Sequence, residues 1–296
     1  MNAATRSSAV ASAKTVVVTG ANRGIGLGVA RGLARKGHRV VLACRDPAAA
    51  AATRDAIAAD PLVRGIRGSA EIAPPLDLGS LDSVRDFAAS LASDGLAIDA
   101  LVNNAGVLCP SREETVDGFE RCFGVNFLGP FLLSRLLVPL LSPGGRIVNT
   151  SSVAGLFGRF DPSDLGMERD YRSLRAYARS KLAVILASLE LAQRLQGRAR
   201  INVVHPGIVN TRILTMNRWF DPVADALFRP FVRGIDSGAS PTVELAVSPR
   251  FDGVTGAYFS RFRALRLPKR IADPKARMEL WDLASDLAGL PRDISD

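Results

Sequence analysis

Thr15-Val16-Val17-Val18-Thr19-Gly20-Ala21-Asn22-Arg23-Gly24-Ile25-Gly26 is the stretch that decides the fold. Its first five residues form a β-branched run that reads as a strand buried on both faces. A glycine-rich turn follows, and a helix is expected from there to about Lys36. Glycines allow a tight turn and let a pyrophosphate approach the backbone, where it would rest on the helix N-terminus. The spacing is G-x-x-x-G-x-G, which departs from the generic G-x-G-x-x-G. A buried strand, a glycine turn and a helix in this order point to a nucleotide site.

The rhythm continues along the chain. Further strands are expected at Arg39 to Cys44, Ala70 to Leu76, Ile98 to Val102, Arg146 to Thr150, Arg200 to Val204 and Gly256 to Phe259. Helices are expected at Ala48 to Ala59, Ser80 to Ser93, about Val116 to Leu140, Leu174 to Gln196 and Ala239 to Val247, with Ser80 as an N-cap. Strands that alternate with helices make an α/β fold with a doubly wound parallel sheet, here of about seven strands, covered by helices on both faces. Residues 1–13 are rich in Ala, Ser and Thr with one Arg and no acid, and read as a flexible arm. Residues 14–296 read as one domain. The arm lacks the apolar core of a secretory signal. An organelle transit peptide shares its composition and stays open.

Composition narrows the function classes. The chain has 296 residues, 47% hydrophobic and 23% charged, as in an ordinary globular protein. No uninterrupted apolar run reaches the roughly 20 residues that span a bilayer; Phe131 to Leu141 is broken by Ser134, Arg135 and Pro139. No integral membrane segment is therefore expected. Cys44, Cys109 and Cys122 have neither paired nor metal-type spacing, and there are only two histidines. That argues against a metal site or a disulfide framework, and for a reducing, cytoplasmic location. The net charge of +9 is scattered except between Arg261 and Arg270. With few aromatics nearby, this stretch reads as a solvated basic face and not as a nucleic-acid surface. Contact of that stretch with an acidic membrane surface stays open.

Tyr177-Ala178-Arg179-Ser180-Lys181 places a phenol and an ammonium at i and i+4 of an expected helix, on one face. An adjacent ammonium favours the tyrosinate, so the phenol pKa is expected to fall from about 10. Taken alone, a snorkelling lysine beside a half-buried ring explains the pair equally well.

Six motifs in order resemble the short-chain dehydrogenase/reductase family, over about Lys14 to Phe259. They are Thr19 to Gly26; Asn103-Asn104-Ala105-Gly106; Asn126 in Val125 to Gly129; Ser152 after Ile147 to Ser151; Tyr177 with Lys181; and His205-Pro206-Gly207-Ile208-Val209-Asn210-Thr211. The resemblance implies a Rossmann-type fold and an oxidoreductase interconverting a carbonyl and an alcohol. Tyr177 would be the general acid/base and Ser152 would polarise the substrate oxygen. Lys181 would lower the phenol pKa and hold the nicotinamide ribose, and Asn126 would support a water leading to Lys181. Ser151 and Ser152 carry a register ambiguity; Val153-Ala154-Gly155 favours Ser152. The cofactor residues it implies are Gly20, Asn22, Arg23, Gly24, Ile25, Gly26, Arg45, Asp77, Leu78, Asn104, Ala105, Gly106, Tyr177, Lys181, Pro206, Gly207, Val209 and Thr211.

An acid at the end of the second strand would bind the adenosine ribose and select NAD. Cys44 stands there, followed by Arg45 and then Asp46, the first acid in the chain. A cation without that carboxylate favours a 2′-phosphate, hence NADP(H), with Arg23 as a second phosphate contact. Asp77 resembles the residue flanking the adenine; a capping turn is its other reading. His205 reads as structural, and Cys109 as a buried inert thiol.

From Ser152 to Tyr177 is 25 residues, longer than is common in the family. That insertion, about 156–173, together with Ala43 to Asp46 and Thr255 to Phe259, is similar to the retinol-dehydrogenase and carbonyl-reductase-like branch. Specificity is expected from the insertion and from about 211–235, which holds Ile213, Leu214, Met216, Trp219, Phe220, Leu227, Phe228 and Phe231. Such side chains suit a hydrophobic small molecule; closing the core or a subunit interface is their alternative use. Two other functions stay open: reduction of a C=C bond conjugated to a carbonyl, and NADP binding without turnover. Homo-oligomerisation also stays open, since the two long helices form the subunit interface in much of the family while the insertion would obstruct it.

Overall fold

The computed structural model describes residues 12–207 and 234–294. The β-branched run forms β1 (Thr15–Thr19), which pairs in parallel with β2 (Arg39–Ala43) on one side and β4 (Ile98–Asn103) on the other. With β3 (Ser69–Ile72), β5 (Leu141–Thr150), β6 (Ala199–His205), β7 (Ala257–Ser260) and β8 (Arg263–Leu265), the sheet order is β3-β2-β1-β4-β5-β6-β7-β8. The expected doubly wound sheet is present, with eight strands where about seven were expected. The extra strand, β8, returns antiparallel to β7 after Arg261, whose φ is +58°. Three exposed residues with an Arg at one end carry no apolar alternation, so β8 left no strand signal in the sequence.

Alternate residues of each central strand enter opposite layers. Val17, Leu101, Ile147 and Val203 meet α3 (Leu81–Ser93), α4 (Arg121–Leu140), α5 (Ser173–Arg194) and α7 (Pro274–Leu287). Val16, Val18, Ala100, Val102 and Val148 meet α1 (Gly24–Ala34), α2 (Pro47–Ala58) and α6 (Ile235–Val247).

Helix α4 begins at Arg121 and not at Val116. Gly118, at φ +80°, turns the chain between a bridged Glu114 and Glu120, and the Glu120 carboxylate then caps the amides of Cys122 and Phe123, both at 2.9 Å. Against the sequence expectation, α4 is long and apolar enough to cross a bilayer, with mean hydropathy 1.5; 78% of the stretch is buried inside the fold. Its apolarity is that of a helix wedged between α3, α5 and the sheet.

Helix α7 was not anticipated, although Asp273-Pro274 is an N-cap followed by proline in the first turn, and the Asp273 carboxylate accepts from Lys275 N at 3.0 Å. Trp281, fully buried, fastens α7 over α4 and α5. Its ring meets the edge of Phe131 at 5.1 Å, lies 4.7 Å from the guanidiniums of both Arg135 and Arg194, and its indole N–H donates to Arg292 O at 2.6 Å. Part of the surface of α4 and α5 is thus covered by the chain itself. Trp281→Ala should cost about 3–5 kcal/mol, read from urea unfolding at constant m-value.

Candidate active site

The carboxyl ends of β1, β4, β5 and β6 converge where the strand order reverses about β1 and β4. The glycine turn packs against the loop after β4 at van der Waals limits. A Cβ on Gly26 would lie 2.1 Å from Gly20 O and 2.6 Å from Asn104 Nδ2, and one on Gly20 would lie 3.0 Å from Ala105 Cβ. Gly20 and Gly24 also take left-handed φ of +63° and +52°. Thr19 Oγ1 accepts from the amides of Asn104 at 3.0 Å and Ala105 at 3.1 Å, while Asn104 Nδ2 donates to Thr19 O at 3.2 Å. Asn104 and Ala105, expected as cofactor contacts, therefore brace the turn from behind. Thr19 was missed as a site residue, because nothing in its spacing separates a buried hydroxyl from any strand threonine.

Helix α1 starts at an exposed Arg23 with no side-chain cap, and its first turn holds no acid. Its leading amides are left for an anion, which is what a pyrophosphate needs. The residues present therefore fit a dinucleotide. Cys44 is buried, and Asp46 is committed to α2, accepting from Ala48 N at 2.9 Å and Ala49 N at 3.2 Å. Arg45 is exposed, with Nη1 only 3.9 Å from Asp77 Oδ2, a loose surface pair. Asp77 makes a capping turn, Oδ1 accepting from Gly79 N at 2.9 Å while its own N–H donates to Ser83 Oγ at 3.0 Å. Leu78 beside it is buried.

Asn126 sits in a π-helical turn, Gly124–Leu128, inside α4. Its Oδ1 accepts from Val107 N at 2.7 Å, and its Nδ2 donates to Val107 O at 2.9 Å and Ser180 Oγ at 3.0 Å. Lys181 is buried and donates to Thr150 O at 3.0 Å. The two side chains meet above Gly106, where a Cβ would lie 3.3 Å from both Asn126 Oδ1 and Lys181 Nζ.

Ser151 is buried and donates to Lys181 O at 2.9 Å, so its hydroxyl is turned into α5 and Ser152 is the serine left facing Tyr177 at the end of β5. Ser152 caps a 3-10 turn, Val153–Phe157, its Oγ accepting from Ala154 N at 3.2 Å, and its hydroxyl is close enough to Tyr177 to act on the phenol. That turn lies directly on the α5 backbone. A Cβ on Gly155 would be 2.9 Å from Lys181 O, and one on Gly158 would be 2.5 Å from Ala178 O. Glycines at these two positions bring Ser152 to the face that carries Tyr177 and Lys181.

The electrostatics depart from the sequence expectation. Burial pushes the Tyr177 phenol above its ordinary value, while Ser152 pulls the other way. Lys181 does not set the direction: its Nζ stands 5.8 Å from the ring centroid and donates to Thr150 O, and burial prevails. Burial also draws the Lys181 ammonium down to about 8.

The insertion is bolted down. Arg270 donates to the carbonyls of Leu156 and Gly158, Arg179 to Asp164 O, Arg112 to Gly166 O, and the Tyr171 phenol to Cys109 O. Met167, buried at φ +48°, plugs a small core with Cys109, Cys122 and Ala176. Val153, Phe157 and Leu174 are left exposed as an apolar rim beside Ser152 and Tyr177. His205 Nδ1 accepts from Gly207 N at 3.2 Å, and Pro206 between them is buried. Val209, Thr211 and residues 211–233 of the second expected substrate segment lie outside the described residues. Among the described residues no cluster of three or more His, Cys, Asp or Glu could hold a metal ion.

The family model for short chain dehydrogenase matches residues 14–219. Human retinol dehydrogenase 14 is 40% identical over 301 residues, covering 94% of this chain and 87% of its own. A crystal structure of an uncharacterized protein from Mycobacterium Paratuberculosis superposes with TM-score 0.75 at 33% identity, covering 96% of this chain and 95% of that one. A short chain dehydrogenase from Burkholderia cenocepacia J2315, solved in complex with NADP, superposes with TM-score 0.66 at 26% identity, covering 83% and 95%. With its glycine turn, its serine and its Tyr-Lys helix at one sheet edge, the chain belongs to the short chain dehydrogenase family, among relatives named as retinol dehydrogenases.

Proposed function

We propose that the protein is an NADP(H)-dependent oxidoreductase that reduces the carbonyl of an apolar small molecule, or runs the reverse oxidation. The observation that carries this reading is the meeting of Ser152, Tyr177 and Lys181 beside the uncapped start of α1. Gly20 to Gly26 would receive the pyrophosphate, and Arg45 with Arg23 the 2′-phosphate. When bound, NADPH supplies the hydride. Ser152 holds the substrate oxygen, and Tyr177 gives it the proton. A phenol pushed upward by burial stays protonated near neutral pH, the state a proton donor requires. The apolar rim of Val153, Phe157 and Leu174 suits a hydrophobic substrate, and the names of the retinol dehydrogenase relatives make retinal the first compound to try. Three free, buried cysteines fit a cytoplasmic setting.

A panel of aldehydes and ketones including retinal, followed by loss of NADPH absorbance, tests the activity. NADPH binding with no carbonyl consumed would overturn it, and product mass and NMR distinguish carbonyl from C=C reduction. Arg45→Asp should weaken NADPH binding by about tenfold or more while sparing NADH, read by calorimetry.

The pH dependence follows from Lys181. It carries its charge below about 8 and loses it above. Reduction should therefore decline as pH rises through about 8, and that limb should move to higher pH in Lys181→Arg, because guanidinium keeps its proton. An unchanged alkaline limb in the variant would assign the titration to another group.

A further inference from the structure

Beyond the four expected side chains, two aromatic residues, Tyr258 and His205, pack beneath the Ser152 turn. Tyr258 is 1% exposed and lies on β7, paired with Val203 of β6. Its hydroxyl reaches past β6 and donates to Ser152 O at 3.3 Å. The same carbonyl accepts from Gly155 N at 3.0 Å, so it anchors the 3-10 turn whose first side chain is Ser152. On its other side, the Tyr258 ring stacks on His205, with centroids 5.8 Å apart and planes at 29°. His205 Nδ1 in turn accepts from Gly207 N at 3.2 Å, where the backbone turns with φ +89°. Burial holds His205 below its ordinary pKa, so Nδ1 is a neutral acceptor at pH 7.

A phenol buried this deeply needs a partner for its hydroxyl. Ordinary core packing would be served by phenylalanine, as in the next residue, Phe259, which has no such bond and packs edge-on to Phe251. The hydroxyl of Tyr258 is used on the backbone carbonyl of Ser152.

We propose that Tyr258 is a positioning residue for Ser152, and that its stack on His205 ties the serine to the Pro206-Gly207 turn. The inference rests on the proposed reductase reading only for its kinetic consequence. Ser152 must present Oγ to a substrate oxygen while that oxygen faces Tyr177. A hydrogen bond on its own carbonyl holds its backbone, and the packing of Gly155 on Lys181 holds the next turn.

Tyr258→Phe keeps the ring and removes only the hydroxyl. Two readouts test it. Deuterium exchange of peptides spanning 151–158 should quicken in the variant, with the unfolding midpoint close to that of the parent; this needs no turnover. On any carbonyl of the panel that is reduced, kcat should fall about 3- to 10-fold with the KM for NADPH unchanged. The loss should disappear when Ser152 is already alanine, because a residue that acts through the Ser152 hydroxyl has nothing left to position. Unchanged exchange over 151–158, or an equal kcat loss in the Ser152→Ala background, overturns the proposal. If no carbonyl is reduced by the parent, the reductase reading fails and the exchange measurement alone decides the role of Tyr258.

Discussion

Tyr177→Phe is expected to lower kcat for carbonyl reduction by about 10²–10⁴-fold, with NADPH affinity nearly unchanged. The ring stays, so the cation–π neighbour Lys181 and the packing of α5 keep their partner. What disappears is the phenol on which the Ser152 side chain acts. Tyr171 and Tyr258 are the other two tyrosines, and their hydroxyls are occupied by Cys109 O and Ser152 O. Neither can stand in. Single-turnover mixing of the NADPH complex with a reducible aldehyde isolates the chemical step, and retention of the parental rate there would remove Tyr177 from the mechanism.

Gly26→Ala is expected to be the most damaging one-methyl change in the cofactor region. The new carbon would sit 2.1 Å from Gly20 O and 2.6 Å from Asn104 Nδ2, and a backbone oxygen cannot rotate away as a side chain would. Either the α1 start moves off the loop after β4, or that loop shifts and breaks the Thr19 bonds to Asn104 and Ala105. Both spoil the pyrophosphate cradle. Overpacking of this kind costs about 1–3 kcal/mol of stability, and NADPH affinity should fall by about 100-fold or more, beyond what the stability loss accounts for. Calorimetric titration together with thermal unfolding separates the two. Gly37→Ala is the control, since a Cβ there meets nothing within 4 Å; its φ of +85° predicts a modest stability loss with cofactor affinity intact.

The sheet was legible because its strands are buried on both faces. Val16-Val17-Val18 and Ile147-Val148 must be apolar throughout, and a run of that kind between glycine turns has few other uses. Ser80 and Tyr177 to Lys181 were legible because capping and helix-face neighbours depend on residues three or four apart. The antiparallel β8 and the helix α7 were not read. β8 is three exposed residues held by pairing with β7, and α7 earns its place from Trp281, whose partners Phe131, Arg135 and Arg194 lie far away in the chain.

The same distinction runs through the site. The sequence by itself determined the family, the glycine turn and the order in which serine, tyrosine and lysine arrive, since each depends on residue type and short spacing. Only the tertiary structure decided which of Ser151 and Ser152 faces Tyr177, that Asn104 braces the turn, and that Tyr258 reaches Ser152 O across β6. It also reversed the sign expected at Tyr177. Spacing places a lysine on the same helix face as a phenol, but burial and the direction of Nζ depend on what packs over both. Here Thr150 O takes the ammonium and the surrounding core keeps the phenol protonated.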